Sequence, residues 1–165
     1  SLLGGWGVKG IWQYGSGLPL NLNIPFNNSR SGQTLAAERP SVLPGFSNNP
    51  TQGMSAGCGP IKAQPLRTAD LWFDPCAFKL APAGTWGNLG RDTLDGPPSN
   101  LTNFTLVKNT AVTESMKLEF RAEIFNLFNH PNWTAANNNP TQGSFGQVTS
   151  KDGNRTMQLQ LQYSF

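Results

Sequence analysis

Strict alternation between charged and uncharged side chains is the feature that most constrains how this chain can fold. From Met116 to Ile124 every second residue is charged, and each residue between is uncharged. The charged members are Lys117, Glu119, Arg121 and Glu123. A helix with 3.6 residues per turn would mix the two sets around its circumference, whereas a strand places them on opposite faces. The segment is therefore predicted to be a β-strand with one uncharged and one charged face.

The last residues of the sequence repeat this period of two. The apolar set is Met157, Leu159, Leu161, Tyr163 and Phe165, and it alternates with Gln158, Gln160, Gln162 and Ser164. Two earlier segments alternate more loosely. The pattern therefore predicts strands near residues 5–14, 101–108, 116–126 and 156–165, with long loops at 18–100 and 127–155.

The connections predicted between these strands are very unequal in length. Glycine and proline are abundant, with 18 and 13 residues among 165, and most prolines fall between the first two predicted strands. Compact soluble domains rarely contain structureless loops longer than about 15 residues. Outer-membrane barrels combine short periplasmic turns with long extracellular loops. The loop lengths therefore favour a barrel.

The lengths of the predicted strands suit a bilayer. No run of about 18 apolar residues exists that could form a transmembrane helix, which leaves strands as the only way to span a membrane. Ten residues rise roughly 33 Å along a strand, and tilting projects this to roughly 23 Å, close to the apolar band of about 25 Å. We therefore expect an all-β, antiparallel transmembrane β-barrel fragment of about four strands, its charged face lining a wet lumen.

A soluble antiparallel sheet packed on a core shows the same alternation, so a second hypothesis stays open. It is a soluble or surface β-sandwich binding module, for instance one that binds carbohydrate. Its sugar-stacking residues would be the five tryptophans, if they are exposed. These are Trp6, Trp12, Trp72, Trp86 and Trp133.

An enzyme is a third and weaker hypothesis. His130 is the only histidine, and no serine or cysteine motif lies at a useful spacing. Glu119 and Glu123 would lie about 13 Å apart on one strand face, beyond the roughly 5–9.5 Å used in glycoside hydrolysis. We therefore predict no enzyme activity, no catalytic residue and no cofactor. His130 is expected to cap a strand end.

Two cysteines lie in a region rich in glycine and proline. Cys58 and Cys76 are 18 positions apart, and a disulfide that closes a loop in an oxidising compartment is predicted. No CxxC spacing accompanies them, so no metal site is expected. A calcium site formed by the loop aspartates would also need backbone carbonyl groups as ligands. These aspartates do not follow the usual sequence pattern of a calcium-binding loop, so turn or capping roles are expected for them instead. They are Asp70, Asp74, Asp92 and Asp95. The net charge of +3 comes from scattered residues, so no nucleic-acid partner is predicted.

Four stretches resemble one family, the Oar-like TonB-dependent receptors. Residues 86–97, WGNLGRDTLDGP, resemble its segment FGNxGRNxLRGPG, and residues 103–109, NFTLVKN, resemble NxDLSLFKNF. Residues 118–132, LEFRAEIFNLFNHPN, resemble LQFRAEFFNLFNHPNF, and residues 10–19 resemble GIxxYxSGxP. Asp92, Asp95, Pro98 and Thr105 depart from the pattern.

The resemblance implies an outer-membrane transporter whose 22-stranded barrel is filled by an N-terminal plug. Residues 1–165 would be the C-terminal part of that barrel domain, in the cell outer membrane. Tyr163 and Phe165 would form the C-terminal signal that the barrel-assembly machinery reads, at the periplasmic end. The other implied partners are outer-membrane lipid and an unidentified transported ligand. The energy-coupling complex would act only through missing N-terminal parts. Both cysteines would then lie outside the cell.

Overall fold

The computed structural model describes residues 3–32 and 38–165, which contain no α-helix. Within them, one 3₁₀ turn, Pro75–Ala77, is the only helical segment. No described helix is long and apolar enough to cross a membrane. The β-strands, numbered in chain order, are β1 (Trp6–Gly15), β2 (Pro19–Leu20), β3 (Ser41–Val42), β4 (Phe78–Lys79), β5 (Leu94–Asp95), β6 (Ser99–Ala111), β7 (Lys117–Phe125), β8 (Asn132–Trp133), β9 (Lys151–Asp152) and β10 (Thr156–Ser164).

The four long strands form one antiparallel sheet in the order β1-β6-β7-β10. This confirms the predicted all-β class and its four strands. β6 is longer than the alternation predicted, because Ser99 pairs with Gly15 and Ala111 pairs with Lys117. Strand length is decided by such partners on neighbouring strands. The sheet does not close into a barrel within the described residues, and β1 and β10 are its edges.

The register of the sheet decides which side chains share a face. Leu106 lies opposite Val8 on β1 and opposite Ala122 on β7. Ala122 in turn lies opposite Leu159 on β10. Because directly opposed residues of antiparallel strands point to the same side, these four side chains form one apolar row across the sheet. The apolar row is therefore continuous across all four strands. Lys108 of β6, which lies opposite Trp6 and Phe120, is a charged residue on the same face.

The chain divides into two compact units. The sheet unit contains the residues up to Gly15 together with Ser99–Asn132 and Asp152–Phe165. The loop unit contains Ser16–Pro98 and Trp133–Lys151, apart from the residues not described. The predicted long loops are thus not structureless, since most of their residues fold into this second unit.

The loop unit has a hydrophobic core of its own. Five of the larger side chains in this core are each at most 2% exposed: Leu22, Trp72, Phe73, Leu89 and Leu94. Aromatic rings pack edge to face around them, with Phe73 5.1 Å from Phe145 and Trp72 5.9 Å from Trp133, measured between ring centroids. These residues come from distant parts of the sequence, so no local periodicity could predict the core.

Candidate functional site

The face of the sheet that carries this apolar row is largely uncharged, apart from Lys108, and it is open to its surroundings. Val8 is 64% exposed, Leu159 is 67% exposed and Leu161 is 68% exposed, while Leu118 and Phe120 are only half-buried. A soluble β-sandwich would bury such side chains beneath a second layer of protein. In the described part of the chain no second layer encloses this face. The arrangement suits contact with a hydrocarbon phase.

The opposite face carries the four charged residues predicted for it. They are Lys117, Glu119, Arg121 and Glu123. The guanidinium of Arg121 lies 2.9 Å from a carboxylate oxygen of Glu119 and 3.7 Å from one of Glu123. We call these four charged residues of β7 the ladder. On β10 they lie opposite Ser164, Gln162, Gln160 and Gln158. This face is therefore hydrophilic across two strands, and one arginine links its two glutamates.

Asparagine side chains tie together the end of the sheet where β7 finishes and β10 begins. Asn103 Oδ1 accepts a hydrogen bond from the main-chain N–H of Asn126 over 3.0 Å. Asn132 Oδ1 accepts one from Asn100 N–H over 2.7 Å. Sequence reasoning missed this asparagine rim. Its only signal was the abundance of asparagine near the ends of the predicted strands, which also suits ordinary loops.

Asn126 is the most buried member of the asparagine rim, at 2% exposure. Its amide nitrogen donates to the carbonyl oxygens of His130, over 2.9 Å, and of Gly153. Its amide oxygen accepts from His130 N–H, also over 2.9 Å. Asn126 has a φ of 53°, a left-handed conformation in which asparagine is enriched. Asn126 therefore ends β7 and anchors the segment that precedes β10.

His130 contributes to this turn through its main-chain N–H and carbonyl groups, and the residue is exposed. The side chain that caps this strand end is therefore that of Asn126 and not, as expected, that of His130. Glu119 and Glu123 each contact Arg121, which lies between them.

The other end of the sheet carries aromatic side chains and a tight turn. β6 and β7 are joined there by a turn in which Val112 N–H donates to Met116 O over 2.9 Å. The ammonium of Lys108 lies 5.0 Å from the ring centroid of Trp6, within the range of a cation–π contact. Tyr163 and Phe165, the predicted assembly signal, lie at this same end, and their ring centroids are 5.9 Å apart.

Cys58 and Cys76 form a disulfide within the loop unit. Asp74, 3% exposed, organises the chain beside it. Its carboxylate accepts hydrogen bonds from Ser55 Oγ over 2.8 Å, Ala56 N–H over 2.8 Å and Cys76 N–H over 3.0 Å. Three donors satisfy this buried charge, so Asp74 has the capping role expected for the loop aspartates.

Two other aspartates of the loop unit are also engaged with protein groups. Asp92 N–H donates to Asn21 Oδ1 over 2.8 Å. The carboxylate of Asp95 lies 3.4 Å from the guanidinium of Arg67. No cluster of three or more histidine, cysteine, aspartate or glutamate residues that could hold a metal occurs in residues 3–32 and 38–165.

The five tryptophans do not form an exposed set. Trp72 is 2% exposed, and its indole N–H donates to Asp95 O over 2.7 Å. Its expected role as an exposed sugar-stacking residue is therefore wrong, because long-range packing places it in the core. Trp133 packs against it, whereas Trp6 and Trp12 lie on the uncharged face of the sheet. Trp86, in the loop unit, is 59% exposed.

Comparison with known proteins bears on the whole arrangement. Residues 1–158 match the family described as outer membrane beta barrel domain. The matched range includes β1, β6 and β7, the first residues of β10, and the loop unit. No curated protein and no solved structure shows significant similarity to the chain.

Proposed function

This chain belongs to the outer membrane beta barrel domain family and is located in the outer membrane, and we propose that it forms one sector of the barrel of a TonB-dependent receptor that takes up a ligand. The observation that carries the proposal is the sheet with one charged face and one exposed, largely apolar face, on which Lys108 is the charged residue among the four long strands. In the proposed receptor, the largely uncharged face contacts outer-membrane lipid, and Lys108 lies near the end of β6 that leads into the short turn. The ladder from Lys117 to Glu123 lines the aqueous lumen.

The edges of the sheet support a larger barrel. Closed membrane barrels have at least about eight strands, and an unpaired edge in hydrocarbon would leave main-chain groups without hydrogen-bond partners. The outer edges of β1 and β10 have no partner strand among the described residues. We propose that further strands pair with both edges.

The orientation follows from the unequal connections. The turn between β6 and β7 is short, whereas the other two connections between long strands contain the loop unit. Because outer-membrane barrels have short periplasmic turns and long extracellular loops, we place the loop unit outside the cell. Its disulfide suits an oxidising compartment.

The remaining proposed partners follow from this placement. Tyr163 and Phe165 would be read by the barrel-assembly machinery at the periplasmic end. The energy-coupling complex would act through N-terminal parts of the receptor, apart from the strands described here. The resemblance of residues 118–132 to Oar-like receptors supports this assignment. We propose no catalytic or cofactor-dependent role for this region.

The orientation can be tested by labelling engineered cysteines with a membrane-impermeant maleimide. Thr113→Cys lies in the short turn and Thr141→Cys lies in the loop unit, and both residues are exposed. On intact cells, we expect labelling of the Thr141→Cys variant alone. After the outer membrane is permeabilised, both variants should react. Labelling of Thr113→Cys on intact cells would contradict the proposed orientation.

Uptake needs a separate test, because binding alone does not require energy. Ligand accumulation should be measured in cells with and without a functional energy-coupling complex. A TonB-dependent receptor loses accumulation in the deficient cells while surface binding remains. Accumulation that is equal in both strains would refute the transport proposal and leave the outer-membrane location unaffected.

A further inference from the structure

An open cavity of about 330 Å³ lies within the loop unit. Its walls are the hairpin formed by residues 53–66 and the turn formed by residues 142–147. The volume is near the lower end of the range of about 300–1,000 Å³ for small-molecule sites. The lining residues that matter here are Ile61, Lys62, Gln64, Leu71, Phe145 and Gln147.

The hairpin wall is held by hydrogen bonds and by the disulfide. Cys58 and Ile61 exchange two main-chain hydrogen bonds of 2.9 and 3.0 Å. Further along, Ser55 N–H donates to Gln64 O over 2.9 Å. The bond from Cys58 to Cys76 then attaches the hairpin tip to a buried part of the loop unit.

The opposite wall is anchored to the core. Gly146 N–H donates to Asn137 O over 3.0 Å, and Trp72 N–H donates to Gly146 O over 2.7 Å. The ring of Phe145 packs edge to face against buried Phe73. Both walls are therefore formed before a ligand arrives, which lowers the entropic cost of binding.

Three polar side chains of the cavity have no partner within the described part of the chain. Neither the Gln64 nor the Gln147 side-chain amide makes a hydrogen bond there, and the Lys62 ammonium forms no ion pair there. No acidic residue lines the cavity. Its polar chemistry is therefore one cation and two amides that are available to a ligand.

We propose that this cavity binds a small acidic sugar. Each glutamine amide offers both donors and an acceptor, which suits neighbouring hydroxyl groups. Lys62 would bind the carboxylate, and Ile61, Leu71 and Phe145 would contact the C–H surface of the ring. The proposal concerns binding to the loop unit and does not depend on transport.

Gly143 allows the cavity to be blocked without disturbing the fold. It lines the cavity and does not have a left-handed φ, and a Cβ added to it meets no atom within 4 Å. Gly143→Leu should therefore fill the space, and Gly143→Ala is its small control. Lys62→Gln removes the cation. Lys79→Gln is the matched control, since Lys79 is an exposed lysine of β4 outside the cavity.

Binding can be measured by saturation-transfer difference NMR on the intact outer-membrane protein in detergent micelles. The probes are D-glucuronate, D-glucose as its neutral counterpart, and acetate as a free carboxylate. We expect D-glucuronate to bind most tightly, and Lys62→Gln to weaken it about tenfold without changing D-glucose binding. Gly143→Leu should abolish D-glucuronate binding, whereas Gly143→Ala and Lys79→Gln should preserve it.

Three results would overturn the proposal. They are the absence of D-glucuronate binding, equal binding by the Gly143→Leu variant, and competition by acetate as strong as competition by D-glucuronate. A Kd for D-glucose equal to that for D-glucuronate would also refute the acidic specificity. None of these measurements depends on energised uptake, so failure here is distinguishable from failure of the transport proposal.

Discussion

Ala122 lies directly opposite Leu159, with both side chains on the uncharged face of the sheet. In the adjacent pair of the same two strands, Glu123 lies opposite Gln158 on the other face. These two adjacent pairs separate the environments that we assign to lipid and to the lumen. They also supply matched positions at which each assignment can be tested.

Leu159→Lys should impair membrane insertion far more than Gln158→Lys. A lysine facing lipid near the bilayer midplane costs about 2–4 kcal/mol, whereas a lysine at position 158 would lie opposite Glu123 on the hydrophilic face. The measurement is the amount of protein in the outer-membrane fraction of the host. Equal recovery of both variants would contradict the assignment of the faces.

Arg121 should matter for stability because it links two carboxylates. Arg121→Gln removes the cation but keeps a polar side chain, whereas Arg121→Glu places a third carboxylate between Glu119 and Glu123. We expect the midpoint of urea unfolding in lipid vesicles to fall modestly for the first variant and further for the second. Adding Glu119→Gln to Arg121→Glu should restore part of the loss, because it removes one repulsion. If the two single variants unfold alike, the ladder is not electrostatically coupled.

Loss of the disulfide should loosen the loop unit and leave the sheet unit intact. A bond that closes a loop of this length contributes about 3 kcal/mol in the chain-entropy description. Cys58→Ser is the cleaner variant, since Cys58 is exposed whereas Cys76 is buried. Proteolysis on intact cells should cleave the loop unit faster, while outer-membrane recovery stays unchanged. Cleavage at the wild-type rate would show that the bond is dispensable.

Asn126→Asp should destabilise the end of the sheet, although the two side chains have the same shape. The substitution removes the amide donor and points a carboxylate at the carbonyl oxygens of His130 and Gly153. Leaving such buried groups unpaired costs about 1–3 kcal/mol or more. The measurement is the urea midpoint of the protein in lipid vesicles.

Asn129→Asp is the control for that prediction. Asn129 has a similar φ of 51° but is exposed, and its side-chain oxygen accepts a hydrogen bond from Arg155 N–H. Aspartate can still accept that bond, so the urea midpoint should hardly change. A loss equal to that of Asn126→Asp would mean that backbone conformation, and not the buried amide, decides stability at this end.

The strands and their faces could be predicted from sequence because the alternation between neighbouring residues is local. The alternation in the ladder from Lys117 to Glu123 was enough to predict that these residues share a face. The same holds for the series from Met157 to Tyr163. The register added what periodicity cannot supply, namely which residues oppose each other. It brought Ala122 beside Leu159 and extended β6 beyond its predicted limits.

Only the tertiary structure decided the loop unit. Its main features depend on contacts between segments that are far apart in sequence. They are the burial of Trp72, the hydrogen bonds to Asp74 and the cavity between residues 53–66 and 142–147. Proline, glycine and very short strands leave no period in such segments, so local pattern could not reveal their contacts. The sequence by itself therefore determined the membrane sheet, because period two is a property of neighbours, while non-local packing decided the core and the candidate ligand site.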